Sequence, residues 1–284
     1  MNSLVNDFKH EAYRKCFLSV SIDDAMSLPK DLNRLLSHIQ FLGFTSAVFC
    51  INTANPNKLK NSNFDIEKFR LSIEDHNDPI NNGRLEIIIA SQLTYTNTGH
   101  FGIFTKDAYF KRFQFLIVKP TNLDLFKHAC ESPNIDAISI SFSKDFRLFD
   151  NKKLIKSAME KGIFFFFDYS SILLSDELQE TWLSEFQKFA FCQKHQNVLL
   201  ITASERLITL KSPRDLMNMA KLCKYPLKKN YNITNINLLL EHAERRRYGN
   251  GLMTINKKQF DSSDHTDSLT EQERPGTKLL KHSE

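Results

Sequence analysis

Glycine is scarce in this chain, with eight in 284 residues. None falls into G-x-G-x-x-G or G-x-x-x-x-G-K-[ST], so the phosphate-cradling loops of dinucleotide-binding and P-loop proteins are excluded. The nine histidines stand singly, without H-x-H, H-x-x-x-H or H-E-x-x-H spacing, and no cysteine pair has zinc spacing. Any metal site would have to be assembled from dispersed positions. There is no G-x-S-x-G elbow, and neither Ser170 nor Ser204 has an identifiable histidine partner. Cys16, Cys50, Cys130, Cys192 and Cys223 are scattered and odd in number, which fits free thiols in a reducing compartment. Asn6, Asp7, Lys9 and Glu11 interrupt any leader-like opening, and the longest apolar runs stop short of a membrane span. These absences point to an intracellular soluble protein.

What is present is a regular alternation. The hydrophobic fraction of 41% and 24 Phe suffice for a sizeable core. Short, nearly continuous apolar runs at 17–22, 45–51, 84–90, 113–118, 137–142, 163–167 and 197–201 read as parallel strands covered on both faces. Helix-period segments at 29–42, 121–130, 152–161, 176–194, 213–223 and 235–247 fall between or after them. Ser212 and Pro213 supply the cap and first turn of one helix. Seven strands alternating with helices predict an α/β fold, either a doubly wound sheet or an irregular TIM-type barrel without a visible eighth strand. The stretch 92–105 is polar and turn-rich, and is expected to be a loop excursion. Residues 1–14 read as an N-terminal arm, 15–256 as one domain, and 257–284 as a disordered tail.

Charge is unevenly placed. Ten basic and four acidic residues lie between Glu205 and Arg247, a net of +6, against −1 for 257–284. Arg206, Lys211 and Arg214 follow the last strand, while Arg245, Arg246 and Arg247 end the last helix. The helix dipole favours cations there and accounts for one or two of the three arginines. A polyanion such as RNA accounts for all. Tyr225 and Tyr248 lie beside basic residues and are candidates for base contact. The run Phe164 to Phe167, by contrast, reads as core filling on both faces of a strand.

The order of longer motifs is more specific. RFQFLIVKPTNLDLFKHACESPNIDAISISF, then GIFFFFDYSSIL, NVLLITASERLITLKSPRDLMNMAKL and EHAERRRYG, closely resemble the TIM-barrel-like, roughly thirty-kilodalton protein subunit of ribonuclease P and ribonuclease MRP. The shared features include Pro120 after a strand, Leu125 to Cys130, and the pair Ile135 and Asp136. They continue through Ser204–Arg206 and Lys211–Asp215 to His242, Glu244, Arg246 and Arg247. The resemblance covers about residues 15 to 250. It departs in the first strand, where Ser19 and Ser21 replace the family's usual acidic residues.

The resemblance implies a PHP/amidohydrolase-like barrel that lacks that group's metal ligands, and a subunit that is not itself catalytic. It would bind no cofactor of its own, the Mg²⁺ belonging to the RNA subunit. Implied partners are the ribonuclease P and MRP RNAs, precursor tRNA through the holoenzyme, and other protein subunits including a small ferredoxin-like one. The implied location is the nucleus and nucleolus, with roles in 5′-leader removal and rRNA processing. Arg206, Lys211, Arg214, Arg246 and Arg247 are the expected RNA contacts, with Glu205, Asp215, His242 and Glu244 supporting them. The competing reading is a divergent metal-dependent barrel phosphoesterase using dispersed residues such as Asp168, Glu205 and His242.

Overall fold

A computed structural model of the chain describes residues 15–21, 32–76, 84–140, 152–170, 173, 176–192, 197–201, 209–222 and 231–249. Residues 1–14, the stretch 202–208 that carries Glu205 and Arg206, Tyr225, and the expected tail at 257–284 lie outside them. Among the described residues, those up to Arg247 belong to one compact unit.

Seven strands form one parallel sheet in sequential order: β1 (Lys15–Ser21), β2 (Ser46–Thr53), β3 (Glu86–Tyr95), β4 (Phe115–Pro120), β5 (Ala137–Ile140), β6 (Phe164–Asp168) and β7 (Val198–Ile201). Among the described residues β1 and β7 do not pair, so the barrel-like sheet stays open. The register runs Val48↔Ile88, Ala90↔Phe115, Ile117↔Ala137, Ala137↔Phe164 and Phe166↔Leu199. Because side chains alternate across a strand, each run feeds two cores. Phe49, Ile89, Val118, Phe165 and Phe167 belong to the core shared with the flanking helices. Val48, Ile88, Phe115, Ile117, Phe164, Phe166 and Leu199 form the second, which Leu239 and Ala243 complete. All four residues Phe164 to Phe167 are buried.

The helices are α1 (Leu32–Phe41), α2 (Pro56–Asn61), α3 (Ile66–Glu74), α4 (Thr98–Lys106), α5 (Ala108–Lys111), α6 (Leu123–Glu131), α7 (Lys152–Glu160), α8 (Asp176–Cys192), α9 (Pro213–Leu222) and α10 (Tyr231–Tyr248). Leu32, Leu36 and Ile39 bury one face of α1. Gly43, at φ +91°, ends that helix in the left-handed region that glycine adopts without penalty. No described helix is long and apolar enough to cross a membrane.

The expected excursion at 92–105 is instead ordered secondary structure. β3 continues through Tyr95, and Asn97 caps α4 by accepting from Gly99 N. Gln92 is polar yet buried within β3, while Gly99 and Gly102 weaken the helical signal of α4. The sequence reading also passed over α2, α3 and α5. For α3 the signal existed: Asp65 accepts from Glu67 N and Lys68 N, and Ile66, Phe69 and Ile73 share the buried face.

Candidate nucleic-acid interface

The last helix is held to the strands' N-terminal rim by side chains rather than by surface charge. Arg246 Nε donates to Asp136 Oδ1 at 3.0 Å and to Oδ2 at 2.9 Å. Its Nη2 donates to the carbonyls of Phe113 and Gln114, both at 3.1 Å. Asp136 Oδ2 also accepts from Leu116 N at 2.7 Å, and the Asp136 backbone joins Leu116 O to Phe164 N. One residue therefore ties β4, β6 and α10 together just before β5 begins. Asp136 is fully buried and the Arg246 side chain is 5% exposed. A charge pair so placed is held by its geometry, since either partner alone would be stranded in a poor solvent. Arg246 Nη1 is buried with no hydrogen-bond partner among the described residues.

One turn earlier on α10, His242 Nε2 meets the Ile135 carbonyl at 3.0 Å, which assigns the proton to that nitrogen. A Cβ on Gly162 would lie 2.5 Å from His242 Nδ1, and Gly162 itself has φ +91°. Glycine is required there twice, by backbone and by the imidazole. Thus Ile135, Asp136, His242 and Arg246 form one clasp, with Gly162 making room for it.

Among the described residues the two basic segments do not meet. Lys211 N donates to Tyr169 OH at 2.9 Å, and that hydroxyl donates to Thr209 O at 3.0 Å. Tyr169 follows the C-terminal end of β6, so Lys211 and Arg214 belong to the opposite strand rim from the Arg246 clasp. The five residues of β6 alone span about 16 Å. Arg214 is exposed and Lys211 half-buried. Arg246, expected among the phosphate contacts, is withdrawn into the fold by its carboxylate and carbonyl partners.

The supporting residues also change roles. Asp215 Oδ2 accepts from Ser212 Oγ at 2.8 Å, and Ser212 Oγ accepts from Asp215 N at 3.2 Å. Ser212 thus caps the start of α9, and Asp215 holds the capping hydroxyl in place rather than orienting a neighbouring cation. Glu244 is exposed. Arg245 reaches Glu241 at 3.4 Å along its own helix. Tyr248 is 55% exposed.

The carboxylate best placed for barrel chemistry is already occupied. Asp168 accepts from Ser170 N at 2.9 Å, and from Ser170 Oγ at 2.7 and 2.8 Å to its two oxygens. It closes the turn after β6, a strand end where barrel enzymes place their reactive groups. His242 lies at the other rim, so Asp168 and His242 do not converge. Among the described residues no three His, Cys, Asp or Glu side chains could hold a metal ion.

Arg247, the neighbour of the buried arginine, lines a pocket of about 420 Å³ with Arg70, Arg84, Arg112 and Gln114. Its walls come from α3, the start of β3 and the residues before β4. Sequence reasoning missed the three additional arginines because they lie between 135 and 177 positions from Arg247. No local motif joins them.

Fold and site together define a TIM-barrel-like α/β protein whose described strand ends are tied by capping and clasping contacts, with arginines gathered at its N-terminal rim. The chain belongs to the RNase P subunit p30 family, whose model matches residues 18–248. Ribonuclease P protein subunit p30 of Mus musculus is 22% identical over 190 residues, 65% of this chain and 70% of that protein. Protein GAMETOPHYTE DEFECTIVE 1 of Arabidopsis thaliana is 29% identical over 110 residues, 38% of this chain, and the match spans only 19% of that longer relative. A chain in the cryo-EM structure of archaeal Ribonuclease P with mature tRNA superposes with a TM-score of 0.58 at 13% identity, over 81% of this chain and 91% of that one. At such identity the likeness is one of fold.

Proposed function

We propose that this chain is a non-catalytic, RNA-binding protein subunit of nuclear ribonuclease P, shared with ribonuclease MRP. The observation that carries the reading is the family match, which spans residues 18–248. The RNA subunit and its Mg²⁺ supply the chemistry of 5′-leader removal from precursor tRNA. The chain stabilises that RNA and docks other subunits, among them a small ferredoxin-like one, in the nucleus and nucleolus. Its part in ribonuclease MRP extends the same role to rRNA processing. Arg206, Lys211, Arg214 and Arg247 contact phosphates, while Arg246 and His242 hold α10. The phosphoesterase alternative is not favoured, since Asp168 caps a turn and His242 sits at the other rim.

The test has two arms. Purified full-length chain incubated with precursor tRNA and Mg²⁺ should leave the substrate intact. Native purification followed by RNA sequencing should recover one or two discrete structured RNAs. Cleavage that survives purification and vanishes in Asp168→Ala would establish the enzyme reading instead.

A further inference from the structure

We infer that the pocket at the N-terminal rim, walled by Arg84, Arg112 and Arg247, is a binding site for an RNA backbone phosphate and its attached nucleoside. The inference rests on the RNA-subunit reading and adds a location that no sequence motif marks.

The pocket's charge is biased toward an anion. Four arginines line it against Glu67, Glu74 and Glu86. Arg70 engages two of those carboxylates itself, Glu67 at 2.8 Å and Glu74 at 3.1 Å, so that trio is closed upon itself. Glu86 accepts from Ser46 Oγ at 2.7 Å, and Arg84 and Arg112 line the same pocket. Arg84 donates to the Glu74 carbonyl at 3.3 Å. Arg112 lies 4.0 Å from Asp65, with both side chains more than half exposed. Such a contact contributes little and leaves the guanidinium fork open to an incoming oxyanion. The third wall is fixed in place, because Arg246 beside Arg247 is bonded to Gln114 O, and Gln114 lines the same pocket.

Size and lining favour a nucleotide unit over a lone carboxylate. A volume of about 420 Å³ lies within the range of small-molecule sites. Ile66, Leu85 and Ile87 give it an apolar side against which a ribose or base can rest while arginines take the phosphate in bidentate fashion. A protein carboxylate would use the cations and leave that side unfilled.

The experiment uses full-length chain and the RNA recovered with it, transcribed in vitro. Binding is titrated across salt concentrations for wild type, Arg84→Gln, Arg112→Gln, the double variant, and Lys153→Gln on the exposed side of α7 as control. Each pocket substitution should weaken binding several-fold and reduce the magnitude of the salt slope by about 0.7 to 0.9. Melting temperatures should be unchanged, and the control should match wild type. If wild type does not bind the RNA, the subunit reading fails and the pocket assignment falls with it. If wild type binds and the double variant keeps its affinity and slope, the pocket assignment alone is wrong. Retained RNA binding with loss of a co-purifying protein would make the site a carboxylate receptor and refute the inference. Thermal stabilisation of wild type by AMP, absent in the double variant, would mark a free-nucleotide site and refute it as well.

Discussion

Removing either half of the Asp136–Arg246 pair strands the other charge in a buried site. Arg246→Ala or Asp136→Asn should therefore lower folding stability by about 3–5 kcal/mol, a large share of the 5–15 kcal/mol typical of a domain. Arg246→Lys should fare little better, since an ammonium cannot span the carboxylate and two carbonyls as the planar fork does. Urea titration measures this, and a loss under about 1 kcal/mol would show the pair to be dispensable. The sequence marked Arg246 as important but misread why. Adjacent positions on a helix point about 100° apart, so Arg246 faces the strands while Arg247 lines the pocket wall. Nothing local distinguishes the two, and the deciding partner, Asp136, lies 110 residues earlier. His242 and Gly162 were equally opaque: one a lone histidine, the other a glycine just past a helical segment, and only their contact explains both.

At the scale of elements, strands were the more legible. Their apolar runs came within a few residues of β1 to β7 because burial on both faces leaves little choice of side chain. Short capped helices such as α2 and α5 bury too few residues to show a period, and the polar residues of late β3 concealed its length. The last helix was found, but not its place. Leu239 and Ala243 make α10 the cover of the sheet's second core. Ending the chain after residue 230 should leave Ile88, Phe115, Ile117, Phe164 and Phe166 without that cover. Strong binding of 1-anilinonaphthalene-8-sulfonate with loss of near-ultraviolet circular dichroism is the expected result. A truncated chain with native near-ultraviolet signal would show that the sheet folds without the helix.

For the molecule as a whole, the buried thiols give stability a dependence on pH. Burial raises both Cys50 and Cys130 from an ordinary value of 9.0 to about 12, and Cys16 is raised in the same direction by burial and by Cys50. The folded state thus disfavours thiolate, while the unfolded chain ionises freely. Stability from these groups is fully present below pH 9.0 and is lost as pH climbs toward about 12. Denaturant midpoints should fall across that window, and less steeply in a Cys50→Ala/Cys130→Ala chain when each variant is normalised to its own value at pH 8. An identical pH profile in that variant would remove the thiols from the account. The sheet's sequential strand order has a consequence in time. Each strand finds its partner in the segment made just before it, yet the second core is completed only by Leu239 and Ala243. At synthesis rates of about 5–20 residues per second, the face carrying Val48 and Ile88 waits on the order of ten to thirty seconds for its lid. During that interval the nascent polypeptide displays a broad apolar surface, which makes it a natural client for chaperones at the ribosome.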